Sequence, residues 1–146
     1  MELFGSHTMK IDGKCLCGNI TYEAEVDPNQ VYICNCTDCQ TLAGSAFRWS
    51  VTIAEADFKL ITGEPKIFIK TLDSGATGSH QVFCPDCGSP LYSTTPPGDE
   101  TRFFNVRVAT ARQHTELPPK LQYWKSSAPK WLTEVGQIKD EGGVTL

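Results

Sequence analysis

Residues 84–87 read CPDC, and this stretch is part of the cysteine pattern that decides the fold. The 146-residue chain carries seven cysteines in three groups: Cys15 and Cys17; Cys34, Cys36 and Cys39; Cys84 and Cys87. Because seven is an odd number, the thiols cannot all pair as internal disulfides, and thiols in a reducing compartment stay reduced. Metal binding is therefore the leading use of these cysteines, with zinc as the expected metal.

The spacing of the cysteines favours one division of the thiols between two metals. A CxxC turn lets two thiolates converge on one metal, and a second pair far away in sequence completes a tetrahedral site. Joining the first and last groups gives a closed structural site, on which the fold should depend, and leaves Cys34, Cys36 and Cys39 as a local set. A catalytic zinc has three protein ligands and an open position, so this set fits a catalytic site.

Three other interpretations of the cysteines stay open. Cys36 and Cys39 could join Cys84 and Cys87 in one site, which would leave the other thiols without a metal. All the cysteines could be structural, with one of them simply filling the core. A dithiol redox site at CTDC or CPDC is a further option, although neither pair lies in the βαβ pattern that accompanies such sites.

Short β-type segments dominate the rest of the sequence. Turn signals such as DPN at Asp27 and TGEP at Thr62 separate them, which is typical of an antiparallel all-β domain. Thr37 followed by Gln40 fits the capping box of a short helix that ends near Gly44. We therefore predict a mainly β fold, a single antiparallel domain with few short helices. The predicted strands are residues 19–26, 46–53, 58–63, 66–71, 80–84, 90–94 and 102–108.

Composition and charge argue against several classes of protein. A net charge of −4 without a Lys/Arg cluster argues against nucleic-acid binding. No apolar run approaches the ~18 residues of a membrane span, and no secretory signal is visible, so we expect a cytoplasmic protein with no membrane partner. Residues 1–8 look like an expression-tag remnant, residues 9–140 form the predicted zinc-binding domain, and residues 141–146 form a flexible tail.

Four motifs follow one another in an order that is specific to a known family. They read CLCGNITYEA from Cys15, CNCTDCQTLAGSAF from Cys34, FCPDCGSPLYS from Phe83 and YWKSSAPKW from Tyr123. Together they resemble the glutathione-dependent formaldehyde-activating enzyme family, which also includes centromere protein V. The resemblance implies a β-tent that holds two zincs, a structural one on the first and last cysteine groups and a catalytic one on the middle group.

The resemblance also implies an activity. The family's founding reaction condenses formaldehyde with glutathione to S-hydroxymethylglutathione and is classed as a carbon–sulfur lyase activity. The implied partners are a small thiol, with glutathione as a possible cosubstrate, and an aldehyde. In this hypothesis the substrate thiol takes the open zinc position, loses its proton and attacks the aldehyde carbonyl.

Residues for the organic part of the substrate are less defined. Arg48 is a candidate for binding the carboxylates of glutathione, and Trp49, Trp124 and Trp131 could wall a pocket. The alternative function is a non-catalytic, zinc-stabilised β scaffold that acts as a protein-binding module. The sequence leaves the exact substrate and the oligomeric state open.

Overall fold

The computed structural model of the protein describes residues 7–98 and 100–144. The strands within these residues are β1 (Met9–Lys14), β2 (Thr21–Val26), β3 (Val31–Cys34), β4 (Arg48–Ala54), β5 (Phe58–Thr62), β6 (Lys66–Thr71), β7 (Thr77–Phe83), β8 (Pro90–Thr94), β9 (Phe103–Arg107) and β10 (Leu121–Tyr123). Residues 1–6 of the predicted tag remnant and residues 145–146 of the predicted tail lie outside the described residues, so these boundaries stay predictions.

The strands form a small sheet and a large sheet. The small sheet has the order β1-β2-β5, and the large sheet has the order β10-β3-β4-β9-β8-β7-β6. Neighbouring strands are antiparallel, except that β10 runs parallel to β3. The prediction of a mainly β, single-domain fold is confirmed, and the β-tent that the resemblance implies stays a prediction. Among the described residues, no helix is long and apolar enough to cross a membrane.

The helix α1 (Thr37–Ala43) starts where the sequence predicted, but a different residue caps it. The N-cap is Cys36, whose Sγ accepts a hydrogen bond from the Cys39 N–H at 3.3 Å. The predicted capping box is therefore wrong: Thr37 is already helical, and the Gln40 side chain donates to carbonyl groups. A sulfur occupies the capping position because the cysteines of this segment point to one centre. The helix ends at Gly44, which has a φ of 67°.

The main core lies between the two sheets. Ile11 and Tyr22 of the small sheet pack in one cluster with Val51, Leu91 and Val106 of the large sheet, and all five are buried. Burying an aliphatic or aromatic side chain of this size contributes about 1.5–3 kcal/mol. The alternation of side chains along each strand then sends the residues between these apolar positions, such as polar residues of β4 and β9, to the other face of the large sheet.

That other face is concave, and α1 lies over it. Lys70 of β6 forms an ion pair with Asp38 of α1, with Nζ and Oδ2 2.7 Å apart. The helix follows β3 in the chain, and four strands separate β3 from β6 in the sheet. A flat sheet would hold these two strands ~24 Å apart. The sheet must therefore curve enough to bring its far edge back to the helix.

Candidate metal centres

The first group of converging side chains, the four-cysteine cluster, consists of Cys15, Cys17, Cys84 and Cys87. Their Sγ atoms all lie within 4.8 Å of one another. The Sγ atom of Cys17 is 3.6 Å from that of Cys15 and 3.7 Å from that of Cys84. Zinc–sulfur bonds of about 2.3 Å at tetrahedral angles hold sulfurs about 3.8 Å apart. The donor set and its spacing therefore fit one tetrahedral zinc.

Two similar loops build this cluster. In the first, Gly18 has a φ of 83° and its N–H donates to the Cys15 carbonyl at 3.1 Å. In the second, Gly88 has a φ of 77° and its N–H donates to the Cys84 carbonyl at 2.9 Å. These positive φ values are strained for residues that carry a Cβ, which explains why glycine follows the second cysteine in both motifs.

The four-cysteine cluster connects the two sheets. Cys15 and Cys17 lie between β1 and β2 of the small sheet, whereas Cys84 and Cys87 lie between β7 and β8 of the large sheet. Cys15 and Cys84 have no exposed surface and belong to the main core. A metal held here would therefore cross-link the sheets from inside the core.

The thiols of the four-cysteine cluster differ in how readily they ionise. Hydrogen bonds from the Ser89 hydroxyl and from backbone amides lower the pKa of Cys87 to about 5. The Asn19 amide lowers the pKa of Cys17, but burial and the neighbouring thiols outweigh it and raise that pKa to about 12. Adjacent thiolates repel one another, so a cation is needed to keep all of them ionised together.

The second group, the three-cysteine cluster, consists of Cys34, Cys36 and Cys39. Cys34 ends β3, Cys36 caps α1, and Cys39 lies in the first turn of the helix. Their Sγ atoms lie within 4.8 Å of one another, and within the described residues no further His, Cys, Asp or Glu joins the group. Cys34 and Cys39 are buried, whereas Cys36 is half-buried and is the member most open to solvent. The arrangement fits a zinc with three protein ligands.

Burial and a nearby cation act in opposite directions on these thiols. Burial raises the pKa of Cys39 to about 12, although the positive charge of Arg48 opposes the rise. Burial also acts on Cys36, but hydrogen bonds from the Cys39 thiol and amide, together with Arg48, outweigh it and lower the pKa of Cys36. Cys36 therefore ionises more readily than Cys39.

The C-terminal part of the domain supports the three-cysteine cluster. The Asn35 N–H donates to the Tyr123 carbonyl at 3.0 Å, and its side chain donates to the Gln122 side chain at 3.2 Å. Gln40 of α1 donates to the carbonyls of Asn35 and Ser127, at 2.8 and 3.1 Å. These bonds fix both ends of the turn that carries Cys36.

The structure places Arg48 beside the three-cysteine cluster. It does not bring the three tryptophans together as the walls of one pocket. Arg48 pairs with Cys34 in the β3–β4 register. Trp49 points to the opposite face, where its Nε1 donates to the Leu117 carbonyl, and it lines a cavity of about 1090 Å³ that Arg107 also lines. Trp124 and Trp131 are 66% and 53% exposed.

The grouping that joins Cys36 to Cys84 is wrong, because the sulfurs of the two clusters do not form one group.

The buried polar residues on the concave face of the large sheet were not predicted from the sequence. Ser50, Gln81 and Arg107 are buried on the concave face of the large sheet. In the sequence they alternate with apolar residues, a pattern that normally indicates a solvent-exposed face. The available signal was that Arg48 begins β4 and Arg107 ends β9, which does not reveal that the sheet curves around them.

Comparisons with known proteins agree with this architecture. None of the curated proteins is significantly similar to the chain. The crystal structure of a Rhodobacter sphaeroides protein is similar with a TM-score of 0.57 and 17% sequence identity, over 76% of this chain and 98% of that chain. This similarity concerns the fold alone. The model of the family described as glutathione-dependent formaldehyde-activating enzyme matches residues 10–127. This match covers most of the chain, which therefore belongs to the glutathione-dependent formaldehyde-activating enzyme family.

Proposed function

We propose that the chain is a zinc-dependent carbon–sulfur lyase that forms or breaks S-hydroxymethyl-type adducts of glutathione or a similar thiol. In the forward direction the thiol sulfur bonds to the aldehyde carbon, the carbonyl π bond breaks, and the thiol proton ends on the oxygen. The reverse reaction returns the thiol and the aldehyde. The observation that carries this proposal is the three-cysteine cluster, which gathers three sulfurs without a fourth ligand from the described residues.

The donor atoms of this cluster suit the proposed role. Cys34, Cys36 and Cys39 would hold zinc, because thiolates are ligands that zinc prefers. Zinc in this position supplies a Lewis acid that favours the thiolate form of an added thiol. The four-cysteine cluster would hold a structural zinc, whose coordination is complete without a substrate. A cytoplasmic setting is part of the proposal, since the thiols must stay reduced.

Arg48 has two roles in this proposal. Its charge lowers the pKa of Cys36, although burial is the larger influence on that thiol and acts in the opposite direction. Its guanidinium lies on the same face as Cys34, because the two residues are directly opposite in the β3–β4 register. A carboxylate of the substrate can reach this guanidinium while the substrate thiol lies at the cluster.

A protein-binding scaffold is the second candidate, and one observation favours it. Ile67, Phe68 and Ile69 of the edge strand β6 are each at least 50% exposed. An edge strand with apolar side chains on both faces is suited to pairing with another chain. In this alternative both cysteine clusters are structural and the protein has no thiol-dependent turnover.

The variant Cys36→Ser tests the proposed function. We expect this variant to fold, to retain about one zinc per chain because the four-cysteine cluster is intact, and to lose adduct formation from glutathione and formaldehyde. Thr37→Ser, at the neighbouring exposed position, is the control and should retain both zincs and the activity. Unfolding of Cys36→Ser would indicate that both sites are structural, and full activity would show that the reaction centre lies elsewhere.

A further inference from the structure

The concave face of the large sheet carries polar side chains close to the three-cysteine cluster. Tyr32, Ser50 and Arg107 lie directly opposite one another on β3, β4 and β9, and Arg48 is two residues before Ser50. Residues in such positions share one face of a sheet. Arg48 also reaches Ser93 of β8, with Nη1 3.4 Å from Oγ. Its side chain therefore extends over β9, the strand that carries Arg107.

Several buried polar atoms on this face have no hydrogen-bond partner among the residues that the structure describes. They include Oγ of Ser50, Nε of Arg48 and Nε of Arg107. Ser50 has no exposed surface, and Arg107 is 6% exposed. Buried polar groups in proteins are nearly always hydrogen-bonded, because leaving one without a partner destabilises the fold. Oε1 of Gln81, on the same face, is an acceptor that also lacks a partner. The three donors outnumber it, which favours a ligand that accepts hydrogen bonds.

The charge of the same residues indicates the sign of that ligand. Within the described residues, neither Arg48 nor Arg107 forms an ion pair with a carboxylate. Burial and, to a smaller extent, repulsion from Arg48 lower the pKa of Arg107 to about 10, so it stays protonated at neutral pH. A buried charge without a partner is strongly destabilising. An anion is the ligand that removes this cost.

The strand register gives the approximate spacing between the row that carries Cys34 and the row that carries Arg107. Cys34 and Arg48 form one row across the sheet, and Tyr32, Ser50 and Arg107 form the next row. Adjacent rows on one face are two residues apart, which corresponds to ~7 Å. A thiol with a carboxylate a few bonds from its sulfur is long enough to reach from the cluster to this second row.

We propose that Arg107, together with Arg48 and Ser50, forms a carboxylate subsite that makes the centre selective for acidic thiols. The proposal rests on the proposed function, because it assumes that the substrate thiol lies at the three-cysteine cluster. Arg48 contacts the carboxylate from the side of the three-cysteine cluster, while Arg107 and Ser50 donate hydrogen bonds to it from the second row. Arg107 is thus a specificity residue and takes no part in carbon–sulfur bond formation.

Calorimetric titration of the zinc-loaded protein with a matched pair of thiols tests this subsite. The probes are 3-mercaptopropionate and its methyl ester, which have the same thiol but differ in charge. We expect the wild type to bind the acid at least about 10-fold more tightly than the ester, as hydrogen bonds between charged groups allow. In Arg107→Met the acid should lose this advantage, while the affinity for the ester stays within about twofold of the wild type.

Two further variants separate a specific subsite from a general effect of charge. Ser50→Ala should reduce the preference for the acid by a smaller factor, since it removes one neutral donor. Arg112→Met is the control, because Arg112 is an exposed arginine on Asp12 and should leave the preference unchanged. Arg107→Lys should retain part of the preference, because a single charge replaces a planar pair of donors.

The outcomes distinguish the subsite from the proposed function. If the wild type binds acid and ester equally, or if Arg107→Met keeps the preference, the subsite is refuted while thiol binding stands. If neither thiol binds to the wild type, the proposed function fails and the subsite fails with it. Without ligand, Arg107→Met should unfold at a temperature no lower than the wild type, because an apolar side chain replaces a buried charge without a partner.

Discussion

The four-cysteine cluster and the three-cysteine cluster use the same side chain in opposite structural settings. The first joins loops that are 67 residues apart, measured from Cys17 to Cys84, and its members Cys15 and Cys84 belong to the main core. The second lies within six residues, and its buried members pack with Tyr32 in a separate small cluster. The comparison teaches that distance along the sequence separates the roles. In the proposed function the long-range sulfur ligands stabilise the fold, while the local ones leave a coordination position available for chemistry.

The largest effect on stability is expected from removing a metal ligand that lies in the core. We expect Cys84→Ser to lose its structural zinc, which contributes on the order of 10 kcal/mol, comparable with the 5–15 kcal/mol net stability of a domain. The protein should then be unfolded, as measured by circular dichroism and zinc content. Cys36→Ser is the matched control and should remain folded. Cooperative unfolding of Cys84→Ser at the wild-type temperature would contradict the assignment.

Metal removal should reveal the different contributions of the two clusters to folding without a mutation. We expect a chelator to remove zinc in two phases, with the metal of the three-cysteine cluster leaving first because it has fewer protein ligands. The circular dichroism spectrum should change only in the second phase. Zinc release monitored with a chromogenic chelator, in parallel with the spectrum, measures this order. A single phase that coincides with unfolding would contradict it.

A smaller effect on zinc release is expected when a hydrogen bond that fixes the turn around Cys36 is removed. Gln40→Ala removes the donor to the buried Asn35 backbone carbonyl, which costs about 1–3 kcal/mol if no water replaces it. Zinc should leave the three-cysteine cluster several-fold faster, while the second phase of release stays unchanged. Thr41→Ala, an exposed change in the same helix, is the control. Equal acceleration in both variants would show that Gln40 does not hold the turn.

The smallest effect is expected at the ion pair between the helix and the far edge of the large sheet. The side chains of Lys70 and Asp38 are 34% and 61% exposed, so Lys70→Met should change the free energy of unfolding by only about 0–1 kcal/mol. Thermal unfolding at low and high salt measures this change, which should disappear at high salt. A loss of several kcal/mol would mean that the curvature of the sheet depends on this contact.

The sequence predicted the elements whose local pattern matches their environment. The strand around Val51 and the helix end at Gly44 were predicted because alternation and glycine report them directly. β1 was missed because Ile11 is its only large aliphatic residue at a buried position. β10 was missed because all three of its residues are exposed, and it exists only through pairing with β3.

The candidate site was predictable in its metal ligands but not in its surroundings. Cysteine spacing reports convergence of sulfurs, since each CxxC or CxC turn is a local structure. The role of Arg107 depends on its position opposite Ser50 in the β4–β9 register, and on a curved sheet that buries both. Neither the register nor the curvature has a signature in the residues around Arg107.

The link between the β1–β2 loop and the β7–β8 loop has a consequence for synthesis of the protein. Cys15 and Cys17 leave the ribosome long before Cys84 and Cys87, so the nascent small sheet must wait for most of the domain before its ligands are complete. The contiguous sulfurs of Cys34, Cys36 and Cys39 emerge earlier and together. In the proposed function the metal site of the three-cysteine cluster is therefore complete first during translation, and that of the four-cysteine cluster is complete last.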